Sequence, residues 1–288
     1  MQNPDLAPTL PPSSACRDVT VISLDLRSSS GDDDGELYTL RLRSPGWETW
    51  HPGQFVMIRP LRSSRSDVFW ARPFSISQAD DEEVRIVFQV AGRGTKALLE
   101  LERGETVSIW GPLGNAFAVS RSGPTLLLAG GIGIAPFVGY IERHPAPETL
   151  RLEFGHRLHL DCYPFAECVG AHCTLASSAR SHRETCPEDL ARFIETMNEA
   201  IRDTAGRGGL VLACGPMPFL RSVQQHAFRH NARAQLSLET RMACGVGACL
   251  GCVVKHTEEK TDAPEAFRYV QTCTCGPVFW ADQLDLSD

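Results

Sequence analysis

From residue 19 to about residue 119 the chain alternates apolar and polar side chains in short runs, at 19–26, 37–42, 54–58, 84–90 and 106–109, broken by Gly, Pro and Asp. Alternation with period two puts the apolar side chains on one face of a strand. Short strands separated by turn residues predict a small antiparallel β-barrel. An acidic stretch at 31–36 and a polar one at 63–67 read as loops. The pattern changes at Gly123. Residues 125–129 form an apolar run of the kind found in a strand covered on both faces, and further strands are expected at 150–154, 171–176 and 209–214. Helical periodicity lies between and after them, at 136–142, 187–200 and 218–229, the second opening on Pro and Glu as helices prefer. Strands alternating with helices predict a doubly wound α/β domain. From Ala234 onward cysteines dominate. The expected division is a disordered tail at 1–16, a β-barrel at 17–120, an α/β domain at 121–232 and a small cysteine module at 233–288.

The 288 residues are 42% hydrophobic and 22% charged, enough for two domains and a small appendage. A net charge of −7 argues against nucleic acid as a partner. No apolar run reaches bilayer length, so no membrane span is expected. The first fifteen residues are rich in Pro and Ser and lack the basic start and apolar core of a signal peptide. Eleven cysteines are many for a chain without a metal centre. Setting aside four as ligands leaves an odd number, which points to free thiols in a reducing, cytoplasmic setting.

The four are Cys244, Cys249, Cys252 and Cys273, in the spacing C-x4-C-x2-C followed by a distant Cys. This is the spacing of plant-type [2Fe–2S] clusters, whose irons need soft, anionic thiolates. Glycines between the ligands let the backbone curl and bring N–H groups toward the sulfurs. A zinc knot and a disulfide framework are the competing readings; zinc sites usually pair two short C-x2-C hooks. A second chemical segment is Gly130-Gly131-Ile132-Gly133, placed after a buried strand and before a helix, where a phosphate can approach the backbone. Cys214-Gly215-Pro216 follows a later strand, so two turns at one sheet edge would frame a nucleotide. Cys214 itself reads equally as a small buried thiol or as a neighbour of the nicotinamide. In the first domain, Arg72-Pro73-Phe74-Ser75 opens a strand with a residue able to grip a diphosphate. Gly92-Arg93-Gly94-Thr95 and the loop Gly111-Pro112-Leu113-Gly114-Asn115-Ala116-Phe117 are further Gly-rich turns.

In this order the segments resemble the ferredoxin–NADP reductase superfamily and, with Met242 to Cys252 and Cys273 to Phe279, the electron-transfer subunits of type B dihydroorotate dehydrogenase. The resemblance spans about residues 19–280. It implies FAD held by Arg72, Pro73, Phe74 and Ser75, lined by Gln89, Val90 and Ala91, with Gly94 and Thr95 on its diphosphate. It implies a [2Fe–2S] cluster on the four cysteines and NAD at the two Gly-rich turns. The partner it implies is an FMN-containing catalytic subunit in a heterotetramer, and no residue here reads as a catalytic base. The machinery also fits subunits of sulfhydrogenases or ferredoxin–NADP transhydrogenases, and a non-catalytic redox sensor. Cys275 stands where an acidic residue is common and competes with Cys273 as fourth ligand. Cys162, Cys168, Cys173 and Cys186 read as ordinary thiols or a second metal site. His156 and Arg157 leave NAD against NADP open.

Overall fold

The computed structural model describes residues 15–28, 36–61, 70–120, 123–168, 174–175, 187–257 and 267–287. The expected tail up to residue 14, most of the acidic and polar loops, Cys173, Cys186 and most of 256–268 lie outside the described residues.

The first half folds as β1 (Ala15–Ser28), β2 (Leu37–Arg43), β3 (Phe55–Pro60), β4 (Arg72–Ser75), β5 (Gln78–Ala79), β6 (Glu83–Gln89), helix α1 (Arg93–Leu98) and β7 (Thr106–Leu113). The strands form one antiparallel sheet in the order β4-β3-β7-β1-β2-β6-β5. Its two end strands are consecutive in the chain and separated only by Ile76 and Ser77. The Ile76 N–H donates to the Gln54 carbonyl at 3.1 Å and the Ser77 N–H to the Arg85 carbonyl at 3.0 Å, so the chain itself crosses the seam of a curled half-barrel. Alternation sorts the side chains as expected, with Val21, Leu40, Leu42, Ile86 and Ile109 filling the interior. Strand β3 departs from simple alternation. Val56 and Ile58 enter the barrel core, while Phe55 and Met57 join a separate cluster with Leu113, Cys252 and Cys273. The run Phe-Val-Met-Ile is apolar throughout because both its faces are covered.

The second half comprises β8 (Thr125–Gly130), α2 (Ala135–Arg143), β9 (Leu150–Gly155), α3 (Phe165–Cys168), β10 (Thr174–Leu175), α4 (Pro187–Gly206), β11 (Leu210–Cys214), α5 (Met217–Arg229) and β12 (Arg233–Ser237). The cysteine segment adds β13 (Val253–Thr257), β14 (Phe267–Gln271), α6 (Thr272–Cys275) and β15 (Val278–Trp280). Strands β10-β9-β8-β11-β12 are parallel neighbours, and β15 adds to β12 in the antiparallel sense. The boundary expected between residues 232 and 233 therefore falls inside the α/β unit: β12 follows it and β15 returns to the same sheet. Only β13 and β14 stand apart, as a two-stranded ladder.

Helix α2 sets the α/β unit against the half-barrel. Phe117 stacks on Phe137 with centroids 5.3 Å apart, and the Tyr140 hydroxyl donates to the Ala118 carbonyl at 2.8 Å. The Arg143 guanidinium lies 5.0 Å from the Trp50 ring, and Arg27 pairs with Glu167 at 2.7 Å. Burying a phenyl ring such as that of Phe137, which is fully buried, contributes ~2–3 kcal/mol.

Candidate cluster, flavin and nucleotide sites

The cysteine loop folds around its own sulfurs. The N–H groups of Val246 and Cys249 donate to Cys244 Sγ, each at 3.4 Å, and the Gly247 N–H donates to Cys273 Sγ at 3.2 Å. Burial disfavours ionisation of the Cys244 thiol, but these backbone donors and the Cys249 side chain outweigh it and bring the thiol down to about 7. Cys273 behaves oppositely. Burial and its hydrogen-bonded neighbour Cys252 push it up to about 12, against the pull of the Gly247 N–H. Cys249 is thus the side-chain neighbour that acts on Cys244, while Cys252 and, at longer range, Cys244 act on Cys273. Among the described residues, no three Cys, His, Asp or Glu side chains converge as a single-ion site. Four thiols at this spacing can supply two thiolates to each iron of a two-iron cluster. Cys275 is exposed at the end of α6, whereas Cys273 is buried beside Cys252. Gly245 has φ of +73°, and a Cβ there would come within 2.5 Å of Met57 Cγ. The loop thus lies directly on the outer face of β3.

A second contact pins the module. The Asn115 side-chain amide donates to the carbonyls of Cys275 at 3.1 Å and Val278 at 2.6 Å, and its oxygen accepts the Val278 N–H at 3.0 Å. The Asn115 N–H donates to the Gly276 carbonyl at 2.7 Å. The Gly-rich loop at 111–117 is thus a clamp on the cysteine module. Sequence reading found the loop but not this role, since its partners lie about 160 residues away.

The residues expected around the flavin come from β4, the end of β6 and the turn after it, and α1. Arg72 Nη1 donates to the carbonyls of Trp70 at 2.7 Å and Ala71 at 3.1 Å, and a Cβ on Gly94 would lie 2.4 Å from Arg72 Nε. Arg72 of β4 and Gly94 of α1 are therefore in contact. Thr95 Oγ1 accepts the N–H groups of Ala91 at 3.0 Å and Gly92 at 3.1 Å and donates to the Gly92 carbonyl at 3.0 Å. This self-bracing converts the expected turn at 92–95 into the start of a helix, whose first intrahelical donor is the Lys96 N–H. The amides of Arg93, Gly94 and Thr95 precede it, as the opening amides of any helix do. Gln89, Val90 and Ala91 lead into this turn, with the Val90 N–H on the Glu36 carbonyl at 2.9 Å. Phe74 meets Phe88 edge-on at 5.6 Å, while Pro73 and Ser75 sit in register with Met57 and Phe55.

The two nucleotide turns are adjacent. They follow β8 and β11, parallel neighbours with Ala129 in register with Cys214. A Cβ on Gly133 would lie 2.2 Å from the Cys214 carbonyl oxygen, so only glycine lets the turns touch. A Cβ on Gly215 would lie 3.1 Å from Gly130 Cα, and one on Gly130 3.1 Å from Pro216 Cδ. Gly131 opens a 3₁₀ turn, Gly131–Ile134, that leads directly into α2. Burial pushes the Cys214 thiol up to about 12 despite a hydrogen bond with Ser237, so it is a neutral thiol at the strand end. Val87 of β6 and Ile134 share one apolar cluster, which places the flavin-side strand beside the nucleotide turn.

The family model for the iron-sulfur cluster binding domain of dihydroorotate dehydrogenase B matches residues 239–285. The dihydroorotate dehydrogenase B (NAD(+)) electron transfer subunit of Caldanaerobacter subterraneus subsp. tengcongensis is 32% identical over 234 residues, 81% of this chain and 87% of that protein. The chain belongs to the family of dihydroorotate dehydrogenase B electron transfer subunits. The subunit of Lysinibacillus sphaericus is 29% identical, covering 84% of this chain and 90% of that one. Among solved structures, a chain of the NADH-dependent reduced ferredoxin-NADP oxidoreductase superposes with a TM-score of 0.71 at 19% identity, over 93% of this chain and 90% of that one. Ferredoxin-NADP+ reductase from Plasmodium falciparum gives 0.58 at 13% identity, over 74% and 90%. These likenesses agree with a curled antiparallel sheet, an α/β nucleotide unit and a C-terminal iron–sulfur segment.

Cys162 and Cys168 are buried in the apolar core between α2 and β9, and every described cysteine is free of disulfide bonds. His156 stacks on Phe154 at 5.0 Å and its Nδ1 is 2.8 Å from the Leu158 carbonyl, which ties this ring to the strand end. Among the described residues no helix is long and apolar enough to cross a membrane.

Proposed function

We propose that the chain carries electrons from an FMN-containing dihydroorotate dehydrogenase catalytic subunit to NAD+ within a heterotetramer, in the cytoplasm. The observation that carries this reading is the cysteine loop lying on β3, with Cys252 and Cys273 in one apolar cluster with Phe55 and Met57, one strand from the segment that opens with Arg72. FAD exchanges a hydride with a nicotinamide and single electrons with a cluster, which is the chemistry this order of sites requires. Cys244, Cys249, Cys252 and Cys273 hold the [2Fe–2S] cluster. Arg72, Gly94 and Thr95 bind the FAD diphosphate, Pro73, Phe74 and Ser75 the flavin, and Gln89, Val90 and Ala91 line it. Gly130, Gly131, Gly133, Cys214, Gly215 and Pro216 take NAD. The three units are the half-barrel, residues 17–120; the α/β sheet from 121, with β12 and β15; and the cluster segment, whose family match begins at residue 239.

Val246, Leu250 and Val253, which alternate with the cysteines along the chain, and Tyr269 of β14 are exposed, an apolar surface suited to a partner subunit. The names of the relatives, and their lengths nearly matched by this chain, favour dihydroorotate dehydrogenase over other partners. Anaerobically purified protein is expected to show flavin bands with a cluster shoulder that bleach on adding NADH, and to reduce dyes with NADH. Dihydroorotate oxidation is expected only after adding the catalytic subunit; oxidation by the chain alone would overturn the proposal.

A further inference from the structure

Trp110 lies between the half-barrel and the cysteine loop. Its side chain belongs to the apolar cluster of Phe55, Met57, Leu113, Cys252 and Cys273, and its indole N–H donates to the Cys244 carbonyl at 3.0 Å. That bond fixes the peptide plane between Cys244 and Gly245. Met57 lies against Gly245, where a Cβ would come within 2.5 Å of its Cγ. The amides that donate to sulfur, those of Val246, Gly247 and Cys249, follow immediately along the chain. Trp110 touches no sulfur donor directly; it holds the peptide from which the donors hang. N–H groups aimed at thiolate sulfur draw electron density from the cluster and raise its potential.

We propose that Trp110 is a positioning residue that raises the reduction potential of the cluster by holding the Cys244 carbonyl and, through it, the N–H···S bonds. The proposal rests on the reading that these four cysteines bind a [2Fe–2S] cluster. Iron and sulfide content of the wild-type chain tests that reading separately, so the two can fail independently.

The test is an anaerobic redox titration of the full chain with both cofactors, followed by EPR for the cluster and by absorbance for the flavin. Trp110→Phe removes the N–H and keeps an aromatic ring. Benzothienylalanine at position 110 replaces only the N–H by sulfur and decides the matter if the Phe variant loses its cluster. Iron, sulfide and FAD contents of the isostere are expected to equal wild type. At the potential where the wild-type cluster is half reduced, its ratio of reduced to oxidised cluster should fall about threefold, the scale of one lost neutral hydrogen bond. The EPR g-values should shift and the flavin titration should not. Cluster titration and g-values identical to wild type in the isostere would overturn the proposal.

Discussion

Position 94 accommodates hydrogen and nothing larger without moving Arg72, whose Nε and Cγ would lie 2.4 and 2.9 Å from an added Cβ. The long Arg72 side chain can yield, so Gly94→Ala is expected to leave the fold and cluster intact and misplace the guanidinium. On the proposed reading that Arg72 grips the FAD diphosphate, loss of that charge-assisted contact corresponds to FAD binding weaker by about tenfold or more, measured by flavin release on dilution. Glu83 gives a pH signature. Burial raises its carboxyl, but hydrogen bonds and charge from Arg41 and Arg85 outweigh burial and hold it below its ordinary 4.5. A lowered folded-state value means that the stabilisation is complete above the ordinary value and is lost as pH falls toward the folded one. Wild type should therefore be more stable than Glu83→Gln at pH 7 in urea, with the gap narrowing below pH 4.5. At this scale the spacing of the four cysteines stands out in the sequence, and the iron-sulfur family match covers the segment that holds them. The roles of Trp110 and Asn115 were not legible, because their partners lie 134 and 163 residues along the chain and no local pattern encodes them.

Elements were legible in proportion to how far their own apolar pattern decided them. Strands β8, β9 and β11 lie where the buried runs predicted, within a residue or two. Helix α4 runs to Gly206 rather than residue 200, because Met197, Ile201 and Thr204 keep the helical spacing of buried positions. Helix α1 was read as a turn because two glycines flank its start, and only the Thr95 hydroxyl makes that start a helix. Strands β13 and β14 were missed: they form a two-stranded ladder, joined to the rest by a single β-bridge from His256 to Leu284, and their alternation is too short to stand out. Between elements, the loop after β7 does the most. Asn115→Ala would break three side-chain hydrogen bonds to the segment after α6, destabilising the module by ~2–3 kcal/mol. The expected result is protein that keeps FAD but yields less bound iron after purification; full iron occupancy would show that the clamp is dispensable.

For the molecule as a whole, the order of a flavin half-barrel before an α/β unit was legible because the hydrophobic period changes at Gly123. The sharing of the second sheet was not. β12 reads as the beginning of the cysteine region and β15 as its end, yet the two are neighbours. The Leu238 N–H donates to the Pro277 carbonyl at 2.8 Å, so the cysteine segment departs from the sheet and rejoins it at nearly one point. Topologically the cluster is a graft in the loop of a β-hairpin. A tight turn linking β12 to β15 would leave every other strand connection intact and would bare Phe55, Met57 and Leu113. What remained would be a two-electron flavoprotein without a one-electron relay. The same joint makes the relay a cassette whose removal asks for new surface residues only where Phe55, Met57 and Leu113 now lie beneath it.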